Sequence, residues 1–280
     1  MTKIAITGAT GQLGRLATAA LQARGIAPVA LVRSPEKAVD LGVEARAFDY
    51  HRVDPAALRG IDTLVLISSN DFDDRAGQHR NVIAAAKSAG IGRLIYTSIL
   101  KGDASPMLLA KDHIVSEAAL RDSGLVTTIL RNGWYTENYT GSLAAALQHG
   151  AMIGAAGDGL ISTASRADYA EAIAVTASDD GHGGKVYELA GDSAYRLAEL
   201  AAEVSAQSGK PVLYNDLPAS AYAAALASFG LPEGLAQALA DSDAKAAQGA
   251  LFDSSQTLSR LIGRPTTAMA QTVKAELAAL

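Results

Sequence analysis

Hydrophobic and polar positions follow two different patterns along the first two-thirds of the chain. Short unbroken apolar runs are separated by longer segments in which apolar residues recur with helical spacing. The runs that predict buried strands are 4–6, 29–32, 44–48, 63–67, 93–97 and 126–130. Unbroken apolar strands that alternate with helices are typical of parallel sheets covered on both faces. The pattern therefore predicts an α/β fold with a doubly wound parallel sheet, Rossmann-like in organisation.

The regular alternation of strand and helix patterns ends after the sixth predicted strand. Residues 132–141 are irregular and aromatic, a helix is predicted near 142–148, and 150–159 is expected to be a loop with a short strand. We expect Asp168 to cap a helix because an aspartate can accept a hydrogen bond from an uncapped N–H group. The last strand of the sheet is predicted at 185–189.

The remaining chain is predicted to be mostly helical from Arg196 onward, with a break at 210–215. These patterns divide the protein into a sheet domain and a smaller, mostly helical C-terminal lobe. The sheet domain covers 1–131, with late elements contributed by 151–190, and the smaller lobe covers 132–150 and 191–280.

Three glycines follow the first predicted strand at the spacing G-x-x-G-x-x-G, namely Gly8, Gly11 and Gly14. Glycine has no Cβ, so the backbone N–H groups of such a turn can approach an anion closely. The helix that begins here adds the positive end of its dipole. The segment predicts a phosphate cradle for a dinucleotide, and the alternative is a tight strand-to-helix turn without a ligand.

Arg33 ends the second predicted strand, 19 positions after Gly14. A site for NAD would place an acidic residue here to accept from the ribose 2′-hydroxyl, whereas an arginine offers a cationic fork to a 2′-phosphate. This choice favours NADPH as the cofactor, and the alternative is a solvated surface arginine. Asp49 ends the third strand, where it could accept from the adenine amino group or begin a helix.

The Tyr-x-x-x-Lys pair of short-chain dehydrogenases is absent, and Tyr96 comes closest, with Lys101 five positions on. Reduction of a ketone must protonate an alkoxide and needs a tuned acid. Hydride addition to a quinone instead gives a stable hydroquinone anion that can take its proton from water. The missing pair therefore favours a quinone as acceptor.

Two further positions are candidates for chemistry at the acceptor. His113 lies on the helix after the fifth strand and could orient a substrate oxygen or supply a proton. Its alternative is a structural, hydrogen-bonded histidine. Trp134 and Tyr135 could stack against a flat substrate or the nicotinamide, or form a hydrophobic plug. We take His113 and Tyr135 as the candidate catalytic residues.

Composition excludes several classes of function. The chain has 280 residues, 49% of them hydrophobic and 19% charged, which is typical of a globular protein. A net charge of −5 without a basic block argues against nucleic-acid binding. The absence of cysteine excludes thiolate chemistry, and the histidines, of which His79 and His113 stand isolated, show no metal spacing. No apolar run is long enough for membrane insertion, so we expect a cytoplasmic protein.

Together these segments are similar to the NmrA-like, atypical group of the short-chain dehydrogenase/reductase family. Within the group, the chain most resembles the bacterial NAD(P)H:quinone oxidoreductases of type 2. The stretches that carry the resemblance are IAITGATGQLG (4–14), QHRNV (78–82), LRNGWYTEN (130–138), IGAAGDG (153–159), RADY (166–169), KVYELAGDS (185–193), LADSD (239–243) and LIGRPTT (261–267).

The resemblance implies an NADPH-preferring reductase that passes a hydride directly to a quinone without flavin. It places cofactor contacts on Gly8, Thr10, Gly11, Gln12, Leu13, Arg33, Ser68, Ser69, Trp134, Tyr135, Asn138 and Arg166. Two alternatives stay open: a non-enzymatic NADP(H)-binding redox sensor of the NmrA type, and a reductase of other flat aromatic acceptors such as triphenylmethane dyes. The aromatic segment and the C-terminal lobe favour an enzyme.

Overall fold

The computed structural model describes residues 2–280 and divides them into two compact units, each made of three chain segments. Unit 1 comprises 2–102, Asp112–Asn132 and Arg166–Glu188. Unit 2 comprises Asp103–Lys111, Gly133–Ser165 and Leu189–Leu280. The assignment of cofactor binding to one lobe and acceptor binding to the other stays a prediction.

Nine strands lie among the described residues. They are β1 Ile4–Thr7, β2 Val29–Val32, β3 Ala45–Ala47, β4 Thr63–Leu66, β5 Arg93–Ile99, β6 Val126–Asn132, β7 Ala151–Gly154, β8 Val186–Leu189 and β9 Leu213–Asp216. Seven of them form one sheet in the order β3-β2-β1-β4-β5-β6-β8. The pairs among the first six strands are parallel, with Ala5 of β1 opposite both Val29 and Leu64. This arrangement confirms the predicted Rossmann-like sheet.

Eleven α-helices lie in the same part of the chain. They are α1 Gln12–Ala23, α2 Arg75–Ser88, α3 Ala110–Ser123, α4 Glu137–Thr140, α5 Leu143–His149, α6 Arg166–Ser178, α7 Leu197–Ser208, α8 Ala219–Ser228, α9 Glu233–Ala246, α10 Thr257–Ile262 and α11 Met269–Ala278. The segments after Ser34 and Asp54 are 3₁₀ turns. None of the helices in residues 2–280 has both the length and the apolar character that a bilayer crossing requires.

Strands β1, β2 and β4 in the middle of the sheet have no exposed position, so their apolar side chains are buried on both faces. One core cluster joins Leu64 and Leu94 of the sheet with Val82 of α2 and Leu120 of α3. Outside this core cluster, helix α1 packs against helix α6. The carboxyl ends of the parallel strands are therefore held at one edge of a rigid layer, which is where ligands bind in such sheets.

Two local predictions were wrong, and the predicted break in the helical pattern contains a strand that was not predicted. Helix α6 begins at Arg166, so Asp168 is a fully buried residue of its first turn and not its N-cap. The segment 132–141 contains the short helix α4 and continues β6 as far as Asn132. The break at 210–215 contains strand β9, which pairs in parallel with β7 to form a second, two-stranded sheet in unit 2.

Candidate functional site

The glycine turn between β1 and α1 has the geometry of an anion cradle. Gly8 has a φ of +61°, and the N–H of Gly11 donates to the Gly8 carbonyl at 2.9 Å. A Cβ on Gly14 would lie 2.2 Å from that carbonyl oxygen, so no other residue fits. Helix α1 begins at the N-cap Gly11 without a side-chain cap and with no acidic residue in its first turn. Its first N–H groups can therefore bind a ligand anion.

Tyr50 stabilises this turn through hydrogen bonds to residues at the ends of β1 and β4. Its hydroxyl donates to the Ile67 carbonyl at 2.8 Å and is also hydrogen-bonded to Thr7 Oγ1, which in turn accepts from the Ile67 N–H at 3.0 Å. Burial raises the pKa of Tyr50, which keeps the phenol protonated. The ends of β1 and β4 are thus locked together beneath Gly8. Asp49, the predicted adenine contact, follows β3 and accepts from the His51 N–H at 2.9 Å.

Arg33 follows β2 with an exposed side chain. Within residues 2–280 it has no hydrogen bond or ion pair, unlike Arg15 on α1, whose Nε donates to the Thr10 carbonyl at 3.1 Å and whose Nη1 pairs with Asp40. The Arg33 guanidinium is therefore available to a ligand. Its predicted role at a 2′-phosphate stays a prediction.

The loop after β4 carries Ser68 and Ser69, which differ in how far they are already engaged. Every polar group of Ser69 has a partner in unit 1: its N–H, its carbonyl and its hydroxyl are all hydrogen-bonded to side chains of α2. The Ser68 N–H donates to Thr97 Oγ1 at 2.9 Å, and its hydroxyl has no partner among the described residues. Of the two serines, Ser68 therefore has the side chain that is free to meet a ligand.

His79 and His113, which stood isolated in the sequence, meet at Tyr96 in the interior of unit 1. The Tyr96 hydroxyl lies 2.8 Å from His113 Nδ1 and 3.3 Å from His79 Nδ1. His79 Nδ1 is also 2.8 Å from Ser116 Oγ, and Ser116 donates to the Asp112 carbonyl at 2.7 Å. Sequence distance shows only neighbours along the chain, so this convergence of distant segments could not be read from the spacing of the histidines.

Burial lowers the pKa of His113 well below the ordinary histidine range, and the nearby charge of Arg75 acts in the same direction. Burial likewise raises the pKa of Tyr96. His113 is 7% exposed and bonded to a neutral phenol, so the imidazole is held uncharged. The structure thus places His113 in a buried hydrogen bond with Tyr96. The catalytic role of His113 stays a prediction.

Glu117, the buried carboxylate of α3, is committed to an ion pair. Glu117 is 2% exposed and binds Arg131 of β6 through two hydrogen bonds, at 2.9 and 2.6 Å. The Ser98 hydroxyl donates to Glu117 at 2.6 Å, and Arg131 also binds Glu188 of β8 at 2.8 Å. These bonds raise the pKa of Arg131. The inward face of α3 therefore joins three strands and offers no free acid.

In unit 2, the segment that follows β6 turns at Trp134. This side chain is 8% exposed, Tyr135 is half-buried and Asn138 is exposed. The Trp134 carbonyl accepts from the Ala164 N–H at 3.2 Å, and Thr136 donates back to the Ala164 carbonyl at 3.0 Å. The burial of Trp134 fits the plug interpretation, and it leaves Tyr135 and Asn138 as the more accessible members of the segment.

Asp243 of α9 closes the LADSD stretch, and its carboxyl anchors this segment although no local pattern marks it as a site residue. The Tyr139 hydroxyl donates to its Oδ1 at 2.9 Å and the Ala155 N–H to its Oδ2 at 3.0 Å. The carboxyl is 2% exposed, and burial raises its pKa to about 6. A Cβ on Gly154 would lie 2.9 Å from Oδ2, so glycine is needed beside it.

The two units share the predicted site residues unequally. Residues of unit 2 are Trp134, Tyr135 and Asn138. Residues of unit 1 are Gly8, Thr10, Gly11, Gln12, Leu13, Arg33, Ser68, Ser69, His113 and Arg166.

Similarity to known proteins includes the glycine turn that forms the predicted cofactor site. The NAD(P)H-binding family matches residues 8–180. Quinone oxidoreductase 2 of Escherichia coli is 56% identical over 277 residues, which cover 96% of this chain and 97% of that protein. A crystal structure of the NADPH-dependent quinone oxidoreductase of E. coli with NADPH has a TM-score of 0.93, 55% identity, and coverage of 98% and 99%.

The Citrobacter triphenylmethane reductase, solved with NADP(H), is 33% identical with a TM-score of 0.91 over 98% of this chain and 100% of that one. The predicted resemblance to the type 2 quinone oxidoreductases is confirmed.

Proposed function

The chain belongs to the NAD(P)H-binding family, and we propose that it reduces quinones by passing a hydride directly from NADPH to the acceptor without a flavin. It is an oxidoreductase: two electrons and one proton leave NADPH as a hydride, a second proton comes from water, and the quinone becomes a hydroquinone. The observation that carries the proposal is the uncapped glycine turn at the start of α1, together with an arginine that has no internal partner.

The residues present fit NADPH. Gly8 adopts a left-handed backbone conformation, and the missing side chain of Gly14 leaves the space that the turn needs. The free N–H groups of the first turn of α1 supply partial positive charge for a pyrophosphate. When bound, the cofactor supplies the hydride, and the remaining work falls to side chains of this chain.

Arg33 has the task of binding the 2′-phosphate. A planar guanidinium can bind a phosphate through two hydrogen bonds, and here it need not first break a contact of its own. An acidic side chain at this position would repel that phosphate. We infer that NADPH is preferred over NADH for this reason.

Proton delivery places little demand on the protein. The buried polar groups of α3 are His113, Ser116, Glu117 and Ser123, and each is hydrogen-bonded inside unit 1. A hydroquinone anion is stable enough to take its proton from water, so the reaction tolerates this lack of a tuned acid. Tyr135 is the candidate for orienting a flat acceptor by stacking.

Steady-state oxidation of NADPH by a benzoquinone, with no flavin added, tests the proposal. We expect turnover at a rate that does not change when flavin is supplied. Tight binding of NADP⁺ without turnover would instead identify a redox sensor, and turnover only with added flavin would contradict direct transfer.

The similarity to a triphenylmethane reductase favours one further class of acceptor. Triphenylmethane dyes are conjugated cations that accept a hydride at a central carbon. A parallel assay with such a dye measures whether the acceptor site selects quinones by kcat/KM. We expect the quinone to give the larger value.

A further inference from the structure

The loop that carries Ser68 and Ser69 is held by three side chains of α2, which we call the Ser69 clamp: Arg75, Gln78 and His79. His79 Nε2 accepts from the Ser69 N–H at 2.9 Å, and Arg75 Nε donates to the Ser69 carbonyl at 2.7 Å. Gln78 Oε1 accepts from the Ser69 hydroxyl at 2.5 Å. All three side chains are buried, and two of them lie in the QHRNV stretch, which has no role in the proposed function so far.

The hydrogen bonds around His79 have only one consistent direction. A backbone N–H can only donate, so His79 Nε2 must be unprotonated where it meets Ser69. The ring proton is therefore on Nδ1, which donates to Ser116 Oγ. Ser116 can accept it because its own proton goes to the Asp112 carbonyl. The tautomer of His79 is thus set by contacts on both sides of the ring.

A charged imidazole would break this arrangement, because it would turn an N–H toward the Ser69 N–H. Burial lowers the pKa of His79 to about 3, and the positive charge of Arg75 acts in the same direction. The ring therefore stays a neutral acceptor throughout the range in which the enzyme would be assayed.

The clamp also fixes the residue that precedes Ser69. The Ser68 N–H is bound to Thr97 Oγ1 on β5, and the next peptide is bound to His79. With both of its sides fixed, Ser68 presents an unpartnered hydroxyl at the carboxyl end of β4. A ligand that uses this hydroxyl gains affinity because the loop is ordered before binding.

We propose that His79 is a positioning residue for the cofactor: by accepting the Ser69 N–H it holds the loop after β4 so that Ser68 faces NADPH. The inference rests on the proposed function, in which NADPH lies along the carboxyl ends of the strands. His79 touches neither cofactor nor acceptor and acts only through the loop.

A matched pair of substitutions separates the two hydrogen bonds of the ring. His79→Gln carries an amide oxygen near the position of Nε2 and keeps an acceptor for Ser69. His79→Asn carries its amide near the position of Nδ1 and keeps a partner for Ser116 while the Ser69 N–H loses its acceptor. Each variant keeps one bond and loses the other, so both are expected to reduce stability by a similar amount.

Binding of NADPH to the full chain, followed by cofactor fluorescence, gives the readout. We expect His79→Asn to raise the Kd for NADPH about three- to tenfold, as expected for the loss of one organising hydrogen bond. His79→Gln should stay within about twofold of the parent protein, and kcat at saturating NADPH should change little in either. Tyr96→Phe is the control, because it removes the hydroxyl contacts of the cluster and leaves Ser69 bound.

The outcomes are distinct. A raised Kd in His79→Asn alone supports the positioning role, even if no quinone turns over, since binding is measured directly. Equal Kd values in both variants, or a Kd that follows urea stability across all three variants, overturns it. Failure of the parent protein to bind NADPH overturns the proposed function as well, and is recognised before any variant is measured.

Discussion

Arg33 differs from the neighbouring arginines in having no partner within residues 2–280. Arg15 and Arg46 are bonded to carboxylates, and Arg46 also donates to two backbone carbonyls. An arginine without an internal partner adds nothing measurable to the fold through pairing. Its value therefore lies in what it binds, which makes it a clean position for testing cofactor choice.

We expect Arg33→Ala to raise the KM for NADPH and to leave the KM for NADH nearly unchanged. A charge-assisted hydrogen bond is worth about 1.5–3 kcal/mol, which corresponds to roughly a tenfold to hundredfold change. Arg80→Ala is the control, because Arg80 is also exposed and carries the same charge. Equal effects on both cofactors would contradict the 2′-phosphate assignment.

His113 tests whether the reaction needs an acid. The imidazole is buried, bonded to Tyr96 and held neutral by its lowered pKa. We therefore expect His113→Ala to keep at least about a tenth of kcat with a benzoquinone, measured at a temperature where circular dichroism shows the variant folded. General acid catalysis contributes about a hundredfold to ten-thousandfold, so a loss beyond a thousandfold would show that His113 is the proton donor.

At the scale of elements, helix α3 is attached to the sheet by polar contacts as well as by apolar packing. Glu117 reaches Arg131 on β6 and Ser98 on β5, and a Cβ on Gly102 would lie 2.1 Å from the Arg131 guanidinium. Gly102 itself has a φ of +49°. Buried charges of this kind depend on their partners, since an unpaired charge in the interior costs far more than a surface one.

Glu117→Gln should lower the free energy of unfolding by about 3–5 kcal/mol, because it leaves Arg131 without its main counter-charge. Glu44→Gln is the control: Glu44 also contacts an arginine, Arg46, but at the surface, where such pairs contribute about 1 kcal/mol or less. Urea unfolding followed by circular dichroism measures both. If the two variants lost a similar free energy of unfolding, the ion pair of Glu117 would contribute no more than a surface ion pair.

The elements that sequence predicted well are those with a local cause. The sheet strands are apolar runs, and the turn at Gly8 needs a left-handed residue. Strand β9 was missed because its burial pattern is largely exposed, and what makes it a strand is a partner, β7, some 60 residues earlier. His79 and Asp243 were missed for the same reason, since their contacts come from distant segments and no local periodicity marks them.

At the scale of the whole molecule, the carboxyl of Asp243 gives unit 2 its own dependence on pH. The pKa of this group is about 6 in the folded protein against an ordinary value of 3.8, and burial is the main cause. The folded state therefore holds this proton at pH values where the unfolded chain has released it. The contribution to stability is full below pH 4 and is lost as the pH rises through 6.

Comparison with Asp243→Asn measures this contribution, because the variant has no titrating group there. Relative to the variant, the free energy of unfolding of the parent protein should fall by about 2 kcal/mol between pH 4 and pH 6.5, from 1.36 kcal/mol per pKa unit. Carboxyl groups with lowered pKa values, such as Asp71 and Asp179, act in the opposite direction and cancel in the comparison.

The only tryptophan, Trp134, lies in unit 2, so its fluorescence reports the unfolding of the unit that contains Asp243. If the free energies of unfolding of the two proteins changed with pH in parallel, the fold would not hold the Asp243 carboxyl protonated.

The interleaved segments of the two units have a consequence for inheritance. The chain passes between the units five times, after residues 102, 111, 132, 165 and 188. A single recombination between two related genes therefore cannot replace either unit as a whole, since each is encoded in three separated pieces. An engineered exchange of unit 2 between relatives would need all five junctions at once.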